Sequence, residues 1–109
     1  MKKFISMILM LVVLVGIVSG VSLKKRQKYV DSHPYLSIEI RQCILGKKIM
    51  GGMTCEEVAI SWGRPDEINR TVTGGQTNEQ WVYVTVRNQF KYKAIYVYFE
   101  NGIVTAWQD

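Results

Sequence analysis

From Leu36 onward the apolar positions follow a helical period, and past Pro65 they switch to an alternation of two. Leu36, Ile40, Cys43 and Ile44 recur at i, i+4, i+7 and i+8, with Glu39, Arg41 and Gln42 falling elsewhere. That spacing predicts an amphipathic helix of about three turns. Ser32 or Asp31 stands where an N-cap belongs, Pro34 is tolerated in the first turn, and Gly46 offers a stop. Residues 47–52 connect, with Ile49 as the expected buried plug.

A second, shorter helix has both ends marked. Thr54 is a good N-cap, and Glu57, three residues on, can reach back to the Thr54 amide as a capping box. Met53 and Val58 flank that box as a hydrophobic staple, with Val58, Ala59 and Trp62 as the expected inner face. Gly63 supplies a residue tolerant of positive φ, and Pro65 bars the helix from resuming. The predicted span is Cys55–Trp62.

Beyond Pro65 the chain reads as strands. Ile68–Thr73 is a short β-prone run closed by Gly74 and Gly75. In Gln80–Val86, Trp81, Tyr83 and Thr85 alternate with Val82, Val84 and Val86. Lys91–Phe99 is a third run, rich in aromatic and β-branched residues. Asn101 and Gly102 then form the dipeptide that favours a type I′ turn, and Ile103–Trp107 returns as the last strand. Helices followed by a run of strands predict an α+β domain over residues 32–109. Its two helices would pack on one face of a three- or four-stranded antiparallel sheet.

The N-terminus belongs to another regime. Met1, Lys2 and Lys3 precede an uncharged apolar run, Phe4–Leu23, long enough to cross a bilayer. Gly16, Ser19 and Gly20 gather where a signal peptide would be cut, after Gly20. The cationic cluster Lys24, Lys25, Arg26 and Lys28 follows at once and opposes export of what comes after. Residues 1–23 therefore read as an uncleaved membrane anchor ahead of a cleaved signal, and residues 24–31 as a basic linker. The net charge of +5 comes from these flanks, because from Asp31 onward eight Lys/Arg meet nine Asp/Glu and leave −1. A near-neutral domain points away from nucleic acid.

Chemistry is sparse. Residues 46–53 imitate the glycine spacing of a phosphate loop, but Gly52 and Met53 occupy the places that need Lys and Ser/Thr. His33 is the only histidine, so a metal set or catalytic triad has little to draw on. Cys43 and Cys55 could close a short disulfide in an oxidising compartment, although a small core residue and a free thiol are the simpler reading. Cys55 in a first helical turn would gain reactivity, but Glu56 and Glu57 oppose it. No cofactor, metal or small-molecule substrate is expected. The surplus of strand aromatics instead marks Tyr83, Tyr92, Tyr96, Tyr98 and Trp107 as candidates for a partner-binding surface.

The run Gly51-Gly52-Met53-Thr54 with Glu57 and Val58, closed by Trp62-Gly63-Arg64-Pro65, resembles the SmpA/OmlA (BamE-like) lipoprotein domain of the outer-membrane assembly machine. The likeness continues through residues 68–72 and 79–83, Tyr98-Phe99-Glu100-Asn101-Gly102, and Val104-Thr105. More narrowly, Tyr29-Val30 with His33-Pro34, and Ile40-Arg41 with Ile44-Leu45-Gly46, resemble a group of exported bacterial proteins of the same layout. The resemblance implies two helices on an antiparallel sheet and a non-enzymatic role binding other proteins at the cell envelope. Related two-helix units also occur in β-lactamase inhibitor proteins, which implies an enzyme inhibitor as the alternative. Two departures stand out. No lipidated cysteine closes the N-terminal run, which shifts the expected place to the inner membrane or periplasm. The region Val84–Ala94 is also longer than the compact connection of that family.

Overall fold

A computed structural model describes residues 21–109. Three helices, α1 (Leu23–Asp31), α2 (Ile38–Leu45) and α3 (Cys55–Trp62), precede four strands, β1 (Glu67–Thr73), β2 (Gln76–Asn88), β3 (Lys91–Glu100) and β4 (Ile103–Gln108). The strands form one antiparallel sheet in the order β1-β2-β3-β4. The domain is thus α+β with a four-stranded meander. The apolar run Phe4–Leu23 lies almost wholly outside the described residues. Among these, no helix is long and apolar enough to cross a membrane.

The marked ends of α3 form as the residues dictate. Thr54 Oγ1 accepts from the Glu57 amide at 3.1 Å, and Glu57 Oε1 accepts from the Thr54 amide at 2.9 Å. Met53 and Val58 are both fully buried in the core. Gly63 ends the helix at φ +89°, and Ser61 and Trp62 tie it to the preceding loop through the carbonyls of Lys48 and Lys47. Two of the three hairpin turns adopt positive φ at two successive residues, Gly74 and Gly75 in one, Asn101 and Gly102 in the other. That geometry matches the twist of the flanking strands.

The N-terminal side corrects the sequence reading. Residues 24–31 are not a linker but the body of α1, capped by Ser22, whose side chain accepts from the Lys25 amide. Asp31 and Ser32 close α1 instead of opening the next helix, and Ser37 caps α2 by accepting from the Ile40 amide. The domain therefore includes Leu23–Asp31, and among the described residues it has three helices. Arg26 explains why a cationic stretch docks. Its guanidinium is buried and donates from Nη1 to the carbonyls of Ile44 and Leu45, the C-terminal end of α2. A cation there satisfies orphan carbonyls and complements the helix dipole. Val30 from the same helix enters the core. The stop of α2 also differs in detail, since Gly46 keeps φ at −94° and Lys47 takes the left-handed position at +57°.

Strand alternation divides the sheet into two faces. Trp81, Tyr83, Val97, Phe99 and Val104 face the helices and pack with Ile44, Ile49, Met53 and Val58. Trp81 packs tilted against Phe99 with ring centroids 4.7 Å apart, and Trp62 meets Tyr83 edge-on at 5.3 Å. The opposite face carries no helix among the described residues.

Candidate functional site

The open face is built by the residues that alternate with the core set. Cross-strand register places Asn69 beside Gln80, Gln80 beside Tyr98, Val82 beside Tyr96, Val84 beside Ala94, and Val86 beside Tyr92. These rows separate by chemistry. Toward the β1–β2 turn the face is polar, and Glu100, paired with Asn78, adds a carboxylate to it. Asn69 Nδ2 donates to Gln80 Oε1 at 3.0 Å, Gln80 Nε2 reaches the Tyr98 hydroxyl at 3.4 Å, and that hydroxyl donates to Gln108 Oε1 at 3.3 Å. The ladder crosses all four strands. Around it lies a shallow groove of about 360 Å³, with Asn69, Thr71, Asn78, Gln80, Tyr98 and Thr105 on its walls.

Toward the other end the same face is apolar. Val82, Val84, Val86, Tyr92, Ala94 and Tyr96 share it. Here the sheet also narrows. Pairing of β1 with β2 ends at Glu67 and Val82, and pairing of β4 with β3 ends at Gln108 and Tyr96. Beyond Val84, whose amide donates to the Asp66 carboxylate, β2 and β3 continue with no other strand among the described residues to the turn at Asn88–Lys91, a two-stranded arm. Its sides differ in character, with Val84, Val86, Tyr92 and Ala94 on the open face and Thr85, Lys91 and Lys93 on the helix side. Val86 is 71% exposed, Tyr92 74% and Phe90, at the tip, 84%. A two-stranded ribbon gains little stability from its own packing. Large apolar side chains exposed together on such a ribbon make it the candidate docking surface. Asn88 shapes the turn by accepting from the Phe90 amide at 2.8 Å, and Lys93 anchors the arm's root to Asp109 at 3.3 Å.

The five aromatics singled out from sequence do not form one surface. Tyr92, Tyr96 and Tyr98 lie on the open face, Tyr92 exposed and the other two half-buried. Tyr83 belongs to the core. It is 7% exposed, and its hydroxyl donates to the Gly63 carbonyl at 2.8 Å. Its parity with Trp81 turns it toward the helices, and burial raises its pKa well above the usual phenol range. Trp107 pairs with Val97 and so lies on the helix side, near the sheet's rim and half-exposed. Val86 and Phe90 were missed. The long β2–β3 connection was the available signal, since length without glycine predicts continued strands.

The two cysteines are free and half-buried. Burial raises the Cys43 thiol, and burial together with the Glu79 carboxylate raises that of Cys55, whose Sγ lies 3.9 Å from Glu79 Oε1. Both shifts favour the thiol over the nucleophilic thiolate. Glu79 goes the other way, held below the ordinary carboxylate range mainly by the Trp81 indole N–H at 2.8 Å and then by Arg70 at 2.7 Å. His33 Nδ1 sits 2.7 Å from the Tyr29 carbonyl while its ring stacks on Tyr29, so it finishes α1. A second concavity of about 640 Å³ lies between α1 and α3, lined in part by Lys25, Lys28, Tyr29, Ile60 and Arg64. Among the described residues no group of three or more His, Cys, Asp or Glu is placed to hold a metal.

No family model, no curated protein and no solved structure matches this chain.

Proposed function

We propose that the chain is a protein-binding module of the bacterial cell envelope, tethered by its N-terminal apolar segment and docking through the apolar half of its open sheet face. The arm carries this reading, because Val86, Phe90 and Tyr92 stand in water on a ribbon whose own packing does not need them. Aromatic side chains are enriched among the anchors of protein interfaces. The SmpA/OmlA-like pattern of residues 51–65 supports the same class, as does the apolar run that leads into α1. A scaffold or assembly role follows from that combination.

The inhibitor reading draws on one feature, the exposed Phe90 at the tip of a projecting hairpin. A tip of that shape suits an enzyme cleft, whereas a scaffold contact would also engage Tyr92 and Val86 along the ribbon. Site-specific photocrosslinkers at positions 86, 90 and 92, in intact envelopes, separate the two. Adducts with one protein from all three positions support the scaffold reading, and an adduct with a soluble hydrolase from position 90 alone supports the inhibitor. Equal yields from position 71, in the polar half, would contradict both.

A further inference from the structure

The two edges of the sheet are treated differently. The outer edge of β4 is closed at its start. The Gly52 amide donates to the Val104 carbonyl at 3.0 Å, the Val104 amide to Met53 at 2.8 Å, and the Cys55 amide to Gly102 at 3.1 Å. A bulge between Tyr98 and Phe99 disturbs the rest of that edge. Loops and bulges of this kind are how proteins protect strand edges from other chains. β1 has neither device. It has seven residues, no proline, glycine or lysine, and β2 is its one strand neighbour among the described residues.

Parity identifies its free groups. Thr73 and Gln76 pair across the two-residue turn, so Thr73, Thr71, Asn69 and Glu67 bond to β2. The N–H and C=O groups of Ile68, Arg70 and Val72 therefore point outward. The side chains of the same three residues share the helix side of the sheet, yet no helix among the described residues covers them: Ile68 is 46% exposed and Val72 66%. Arg70 between them is neutralised by Glu79 at 2.7 Å. On the other side stand Glu67, Asn69 and Thr71, all polar.

We infer that the β1 edge accepts an extended segment of another protein as a fifth, antiparallel strand. A row of alternating backbone donors and acceptors is complementary to extended polypeptide. The flanking side chains specify its pattern, apolar residues beside Ile68 and Val72 alternating with polar ones beside Glu67, Asn69 and Thr71. A second copy of this chain fits less well. Two-fold pairing centred on β1 would set Arg70 opposite Arg70. Seven-residue edges also bury far less than the roughly 1,600 Å² typical of a stable interface between folded domains. The edge is separate from the arm, and this inference does not depend on the reading of the arm.

The test uses the full chain in detergent micelles. The probe is a synthetic nine-residue peptide alternating valine with threonine, with a lysine at each end. Amide hydrogen exchange is followed by NMR. Saturating peptide is expected to slow exchange at Ile68, Arg70 and Val72 at least tenfold while leaving the already bonded Asn69 and Thr71 unchanged. A peptide N-methylated at the residues facing β1 should lose the effect, and one methylated at the alternate residues should keep it. Val72→Pro, which removes an outward N–H at an edge position, should fold and weaken peptide binding at least tenfold. Unchanged exchange, or equal loss with both methylated peptides, would overturn the inference. Protection without peptide would overturn it too: independent of concentration, it means the chain's own residues 1–20 cover the edge, and rising with concentration, a second copy.

Discussion

Tyr83 and Tyr96 stand on adjacent strands of one sheet and have opposite fates. Tyr83 is enclosed, bonded through its hydroxyl to Gly63 and edge-on to Trp62. Tyr96 faces away from the helices beside Val82. Composition does not separate them, and parity does. The difference teaches that an excess of aromatics says a sheet has two uses for them without saying which residue serves which. The covered face holds the fold together, and the proposed docking lies on the face that no described helix covers.

The largest way to sharpen the contrast lies in the core. Phe99 is 1% exposed and packs on Trp81. Phe99→Ala is expected to cost about 3–5 kcal/mol, read as the midpoint of denaturant unfolding. A cost near zero would mean that the covered face is not the core.

Smaller effects come from single polar contacts. Tyr83→Phe removes the bond to Gly63 and should cost about 1 kcal/mol, with the Gly63 carbonyl left buried. Thr54→Ala should cost about the same by stranding amides at the start of α3. Both are checked by thermal or denaturant midpoints. An unchanged midpoint would mean that the hydroxyl or the cap is replaced by water at no cost.

Glu79 gives a pH signature. Its folded pKa is depressed, first by the Trp81 indole and then by Arg70. Its contribution is therefore fully present above the ordinary unfolded carboxylate value and disappears as pH falls through the lower folded one. Glu79→Gln should remove part of the acid limb below about pH 4.5 and leave the rest of the profile parallel. An acid limb identical to the parent would contradict the assignment.

Much of the fold was legible in the residues. The capping box at Thr54 and Glu57, the stop at Gly63 and the two turns at residues 74–75 and 101–102 need only local chemistry, so the sequence specifies them alone. The first helix was not legible, because residues 24–31 carry four cations and show little apolar periodicity. Its docking depends on Arg26 reaching the carbonyls at the end of α2, a contact 18 residues away in the chain. Ser32 misled for a related reason, since a small polar residue can close one helix as readily as open the next. The candidate surface was half legible. Tyr92, Tyr96 and Tyr98 share the face that no described helix covers. Tyr83 required knowing which parity the helices cover, and Val86 and Phe90 required knowing where β1 and β4 stop.

The most direct test is the stability of the full-length Phe90→Ser/Tyr92→Ser double variant beside the parent chain. If the arm's apolar side is there for a partner, removing it leaves the unfolding midpoint within the small range of surface substitutions, about 0.5 kcal/mol. A loss approaching that of Phe99→Ala would place these aromatics in the fold and contradict the division of the sheet into a structural face and a docking face.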